Sequence, residues 1–429
     1  MSTSTDTILL EPITHGQEER GSRNEMRNAE PTNFDPAADA VIAESRLADS
    51  QVPDGGYGWV VIGACSVLTF WFVGSSYSWG VIQAALVKQN LSSPASLSFV
   101  GSLTAACTSF FALVNARIVR WIGGRKTALL GVLCLGLGGI LSGSQFIVVS
   151  TIPAQYFNKK RGIANGIVYA GGGFGGTVIS FAMDGLIQRL GVEWTFRILG
   201  IMVLVTSLPA AWLIKERAPI KTTTFVEWAL FKDVKFATLF IAGSIATFPL
   251  LVPPFFLPLY ANSLGLSASA GAGLVAGFNF SSAIGRLCCG FLSDSIGPVN
   301  TLFISLLVSA LSMLGVWPVS SSLGPLIFFV IVNGMANGGF FSTMPTVVTS
   351  VFGSKRVGVA MGMIVTGWAG GYLMGAPIAG YLLAAYGGEH STLNAYHPAM
   401  FYAGSMALGA AGLVGAVKIT LNKSVLKKL

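Results

Sequence analysis

The chain has 429 residues, of which 52% are hydrophobic and only 10% charged, with a formal net charge of +8. Soluble domains carry about 25% charged residues, so the main solvent of this chain is lipid, and a soluble fold is excluded. The excess of cations is not a nucleic-acid signal, because it is divided into short clusters between apolar runs, the distribution that the inside-positive bias of membrane loops produces.

Residues 1–50 are polar, mixed in charge and poor in aromatics, and cannot bury enough apolar surface to fold. They read as a disordered cytoplasmic tail. No apolar stretch follows the start, so a cleaved signal peptide is not expected. Apolar runs then occur at 57–87, 96–119, 127–150, 163–187, 195–214, 236–262, 268–292, 299–319, 324–352, 357–386 and 398–417. The first has no charge over 31 residues, where a spanning helix needs roughly 20. Because the runs are continuous rather than alternating, they predict helices and not a barrel. The expected fold is an all-α membrane protein with about eleven transmembrane helices. The polar stretch 215–235 reads as a cytoplasmic linker between a first half, 54–214, and a second, 236–418, and 419–429 as a basic cytoplasmic tail.

The halves share a repeat. "KKRGIANGIVYAGGGFGG" (159–176) matches "KRVGVAMGMIVTGWAGGY" (355–372), pairing Gly162, Ala164, Gly166, Gly171 and Gly175 with Gly358, Ala360, Gly362, Gly367 and Gly371. Small residues at this spacing let helix backbones approach closely in lipid. "GGGFGG" (171–176) therefore reads as helix packing, not a phosphate loop, since no strand precedes it. Upstream, "RWIGGRK" (120–126) and "GFLSDSIGPVN" (290–300) each follow an apolar run with a turn glycine, taken as Gly124 and Gly297. From Gly124 to Gly162 is 38 residues and from Gly297 to Gly358 is 61, so the first half is short by 23, about one membrane crossing.

"DGGYGWVV" (54–61), "YFNKKRGIANGI" (156–167) and "NFSSAIGRLCCGFLSDSIG" (279–297) resemble the monocarboxylate-porter family of the major facilitator superfamily, in its fungal branch. The first motif is fairly specific, while Gly290, Leu292, Asp294 and Gly297 follow a pattern shared more widely in the superfamily. The resemblance covers roughly 54–418. It implies twelve helices in two six-helix halves, cytoplasmic termini, and substrate bound at the midplane. The deficit falls at the fourth helix, so eleven helices are expected instead of twelve. Arg117, Arg120, Arg125 and Lys126 mark one cytoplasmic loop, and Lys159, Lys160 and Arg161 resemble another. Two crossings between them need roughly 40 apolar residues, and only 127–157 lies there. The expectation is a single crossing over 127–157, with Pro153 weakening any second one; a true truncation and an omitted exon leave the same signature.

Arg286 lies inside an apolar run, where an ionisable group is expensive and functional by default. It is expected to bind an organic anion; the alternative is that it snorkels to the loop beginning near Ser293. The resemblance implies an acid one turn earlier, but Ser282 stands there, and the lysine many animal members carry in the first span is also absent, which counts against proton–lactate coupling. Asn279, Asn333 and Asn337 are further candidates to hold substrate or bridge helices, the last two sharing a helix face by their spacing. Tyr372 is a candidate cavity residue beside Gln83, Tyr169 and Trp368, for which packing is the alternative. Gly124, Arg125, Asp294 and Gly297 are expected to act as gating hinges, and Asp184 is a weak coupling candidate. Cys65, Cys107, Cys134, Cys288 and Cys289 all lie in apolar runs, and His15, His390 and His397 form no cluster, so no metal, disulfide, cofactor or enzyme chemistry is expected.

The function implied is secondary active transport of small organic solutes, monocarboxylate-like or other organic anions, with proton coupling left open. The alternatives are export of a fungal secondary metabolite and an inactive or sensing derivative. The partners expected are a small-molecule substrate and the lipid bilayer, with no nucleic acid. The site is multi-pass in a membrane, the plasma membrane before the vacuolar one.

Overall fold

The computed structural model describes residues 52–136, 144–217, 226–353, 356–388 and 392–421, and among them all regular structure is helical. In chain order the helices are α1 (Gly58–Tyr77), α2 (Trp79–Lys88), α3 (Pro94–Phe110), α4 (Ala112–Ile122), α5 (Gly124–Gly136), α6 (Ser144–Thr151), α7 (Pro153–Tyr156) and α8 (Arg161–Leu213) in the first half. The second half holds α9 (Val234–Leu250), α10 (Val252–Ser263), α11 (Ala268–Ile296), α12 (Pro298–Leu311), α13 (Leu323–Phe352), α14 (Val357–Ala385) and α15 (His397–Leu421).

Eight of the described helical segments are long and apolar enough to cross a membrane, and the pair α3–α4, bent by 52°, makes a ninth. Helix α8 is two antiparallel arms, because Gly191 breaks it with φ 81° and ψ 172°, a conformation open mainly to glycine. The two-half all-α bundle expected from the sequence is therefore what forms.

The segment 127–157 corrects the expectation of a single crossing. The described part of helix α5 has 13 residues, Gly124–Gly136. Helices α6 and α7 together are of similar length. Both outer ends of this short pair meet the end of α8. The Gly124 N–H donates to the Glu216 carboxylate at 2.6 Å and Arg125 Nε to the Ile214 carbonyl at 2.9 Å. The Tyr156 hydroxyl donates to the Lys215 carbonyl at 2.8 Å, and the Arg217 N–H to Gln155 Oε1 at 3.0 Å. The chain thus leaves and returns on one side. No later loop is therefore inverted. Pro153 opens α7, where its missing N–H costs no helical bond.

The three cations of the opening of α8 therefore lie at the same end as Arg117, Arg120, Arg125 and Lys126. Backbone N–H groups of Asn158, Lys159 and Lys160 converge on Asp54 Oδ1 at 2.7, 3.0 and 3.5 Å, which ties this basic end to the entrance of α1.

The glycine repeat does packing work. In the first arm of α8, Gly175 lies on the Phe70 and Gly74 backbone of α1, and Gly166 lies on Arg286 and Gly290 of α11. At the matching crossing on the other side, Gly362 of α14 rests on Ala116 of α4. In the other landmark pair the equivalent of Gly297 is Gly123, not Gly124. Gly123 has φ 86° and ψ 155° and Gly297 φ 95° and ψ 148°, each closing a helix. Gly124 is the first residue of α5. With this register Arg120 stands where the second half has Asp294.

Candidate functional site

Between the halves lies a partly open cavity formed by α1, α3, α6, α13, α14 and the break between α9 and α10. Six aromatic side chains dominate its wall: Phe72, Tyr77, Phe146, Phe341, Trp368 and Tyr372. Its polar groups are few, chiefly Ser76, Thr108 and Ser109. The rings brace one another. Trp368 packs on Phe146 at 6.0 Å and on Tyr372 at 6.4 Å between centroids, and Tyr77 meets Phe341 edge-on at 6.2 Å, within the range of favourable ring pairs.

The halves meet at both ends of this cavity. At the basic end, Asp294 of α11 takes the Gly162 N–H with one carboxylate oxygen and the Ile163 N–H with the other, both at 2.9 Å. These are free N–H groups of the first turn of α8, so a carboxylate there is favoured by hydrogen bonding and by the helix dipole. Asn165 adds a bond to Thr346 at 3.0 Å. At the opposite end Gly80 of α2 backs onto Pro254 of α10, and Gly380 of α14 onto Ala95 of α3. Asp184 lies at this end too, half-buried, accepting from Gln188 at 2.8 Å and Ser269 at 3.1 Å.

Arg286 does not snorkel. It is 1% exposed, in the middle of the bundle behind the cavity wall. Its Nη1 donates to the Tyr169 carbonyl at 2.6 Å, and its guanidinium lies 5.8 Å from the Tyr77 ring and 5.4 Å from the Phe341 ring. Gly172 makes room for it: a Cβ there would stand 2.8 Å from Nη1. Asn279, Ser282 and Arg286 lie three and four residues apart on one stripe of α11, and Asn279 Nδ2, Ser282 Oγ and Arg286 Nε are all buried with no hydrogen-bond partner within the protein. A stripe of unpaired buried polar atoms calls for an explanation by solvent or ligand.

Among the candidates read from the sequence, Tyr372 and Trp368 line the cavity, and Arg286 and Asn337 lie directly behind it. Asn337 accepts from the Tyr77 hydroxyl at 3.0 Å and donates to the Leu250 carbonyl at 3.1 Å. Asn333, one turn before it, bridges helices instead, its Nδ2 donating to Ser312 Oγ at 2.8 Å. Asn279 and Ser282 are buried against α8 and α13 and do not line the cavity. Tyr169 bonds Ser150 at 2.6 Å and Gln83 bonds Ser98 at 3.3 Å, both packing roles. Arg125 also stacks on Trp212 at 5.5 Å. Sequence reasoning passed over Phe72, Phe146 and Phe341. The available signal was helical spacing, since Phe341 follows Asn337 by one turn and Tyr372 follows Trp368 by one turn.

At the basic end the Glu216 carboxyl, half-buried between α5 and α8, has its pKa raised by burial, partly offset by the Gly124 N–H.

Comparison with known proteins gives consistent results. The model of the Major Facilitator Superfamily matches residues 132–279 and 239–428. An aspyridones efflux protein of Emericella nidulans is 29% identical over 80% of this chain and 68% of its own length. An MFS-type transporter of Gibberella moniliformis is 26% identical over 85% of this chain and 92% of its own length. An agnestins efflux protein of Paecilomyces divaricatus is 24% identical, covering 86% and 92%. Among solved structures, the human organic anion transporter MFSD10 superposes with a TM-score of 0.62 at 14% identity, covering 85% of this chain and all of that one.

Proposed function

The chain belongs to the major facilitator superfamily and is a multi-pass membrane transporter of small molecules, and from that premise we propose that it exports amphipathic, ring-bearing organic metabolites across the plasma membrane. The observation that carries this reading is the cavity wall, with six aromatic side chains and few polar groups. A short hydrophilic acid such as lactate would lose its hydration there and gain little, whereas a ring-bearing solute gains area burial and ring contacts. Several fungal relatives are named as efflux proteins, which supports export of such solutes over the monocarboxylate-like transport that the sequence motifs suggest. The inside-positive bias assigns the basic end to the cytoplasm. Arg286 would supply the counter-charge for an anionic group, with Asn279 and Ser282 completing the polar stripe. Asp294, Gly297, Arg125 and the Gly123–Gly124 turn would act at the cytoplasmic closure.

The test is disruption of the gene in the organism that carries it, with metabolites compared between cells and medium. Export predicts that one or a few aromatic-ring metabolites shift from medium to cells, and that re-expression restores them. An unchanged distribution across the metabolite profile overturns the reading and favours an inactive or sensing derivative.

A further inference from the structure

We propose that Tyr77 is a hydrogen-bonded shutter over Arg286, and that the transporter takes the anionic form of its substrate by displacing it.

The inference rests on the export reading and names the charge class of the solute. Three observations carry it. First, the guanidinium is buried, its Nη1 donates to the Tyr169 carbonyl at 2.6 Å, and its Nε has no hydrogen-bond partner. Among the described residues no carboxylate forms an ion pair with it. A buried cation in that condition is costly, and an incoming carboxylate or enolate would relieve the cost with the paired geometry that the planar fork favours.

Second, the guanidinium is not part of the cavity wall. The Tyr77 and Phe341 rings lie within 5.8 and 5.4 Å of it, and both rings line the cavity. A solute in the cavity meets the rings first.

Third, Tyr77 is pinned by something other than packing. Its hydroxyl donates to Asn337 Oδ1 at 3.0 Å, and Asn337 Nδ2 donates to the Leu250 carbonyl at 3.1 Å. In a continuous helix that carbonyl would accept from the N–H of residue 254. Residue 254 is proline, which has none. The break between α9 and α10 thus leaves an acceptor that fixes Asn337, and Asn337 fixes Tyr77. An anion that rotates Tyr77 aside breaks this chain at the joint between α9 and α10, so exposing Arg286 and loosening that joint are one event.

The experiment uses the full-length protein in detergent, with two matched probes, naphthalene-2-acetate and its primary amide, and calorimetric dissociation constants for each. The readout is the ratio of amide to acid Kd. Tyr77→Phe keeps the ring and removes the catch, so the open fraction rises and the ratio should increase about fivefold, the equivalent of about 1 kcal/mol for one net hydrogen bond. Arg286→Lys, which keeps the charge and loses the fork, should reduce the ratio toward one, and Tyr77→Phe added to it should no longer raise it. A ratio unchanged in Tyr77→Phe, with both probes still binding, overturns the shutter and leaves the export reading standing. A lowered ratio means that Tyr77 itself holds the anion, and also overturns it. Binding of neither probe by the wild-type protein overturns the reading of the cavity and this inference with it.

Discussion

Replacing Asp294 by Asn probes how the cytoplasmic end is closed. The carboxylate spans the two halves with a pair of bonds at 2.9 Å to the first free N–H groups of α8. Asparagine keeps one acceptor oxygen, and the amide nitrogen that replaces the other faces an N–H group and repels it. Hydrogen bonds to a charged partner are worth roughly 1.5–3 kcal/mol each, and the loss of negative charge at a helix N-terminus adds about 0.3–1 kcal/mol. Asp294 is partly exposed, so a net loss of about 2 kcal/mol is appropriate, which shifts the closed-to-open equilibrium roughly 30-fold. The reporter is a cysteine in place of Ser76, which lines the cavity, in a protein whose five native cysteines have been replaced. In inside-out vesicles an impermeant maleimide should react roughly 30 times faster when Asp294→Asn is present. In right-side-out vesicles it should not. An unchanged rate from the cytoplasmic side, or a faster rate from the outside, would refute the reasoning that these two bonds hold the inner closure.

Burial holds the Glu216 pKa above its ordinary value. The folded protein therefore keeps a proton there that the unfolded chain releases, and this contribution to stability is present below the unfolded pKa and is lost as pH rises through the folded one. Thermal stability should fall between about pH 4.5 and the raised value, and Glu216→Gln should flatten that part of the profile; an unchanged profile would count against it. Gly175→Ala should lower the yield of folded protein sharply, because its Cβ would run into the Phe70 backbone, whereas Gly185→Ala, with open space around it, should be tolerated; size-exclusion chromatography of the two compares them directly. Lys159→Cys should be labelled by an impermeant reagent only after permeabilisation of the cells, and labelling from outside would move the basic end to the other face of the membrane.

The halves, the repeat and the depth of Arg286 were legible in the sequence because they rest on strong local signals: long charge-free runs, glycines at fixed spacing, and a single cation in an apolar segment. The hairpin was not. Charge counting placed Lys159 beside Arg125 correctly, but apolar arithmetic allows one full crossing as readily as two partial ones. Only the bonds from Gly124, Arg125, Gln155 and Tyr156 to residues 214–217 distinguish them. The cavity wall was only half visible for a related reason. Phe72, Phe146 and Phe341 are ordinary residues of membrane helices, and nothing local says which apolar face meets the opposite half. Asn333 and Asn337 show the limit from the other side, with the same residue type one turn apart and partners on different helices.

Uptake into inside-out proteoliposomes tests the transport claim most directly. Purified protein would be reconstituted and the initial rate measured for a labelled naphthalene-ring carboxylate and for labelled lactate, with the wild-type protein and with Trp368→Ala in the cavity wall. The account predicts saturable uptake of the ring-bearing acid well above protein-free vesicles, little uptake of lactate, and a several-fold weaker rate for Trp368→Ala. Equal rates with and without protein, or a preference for lactate, would contradict it.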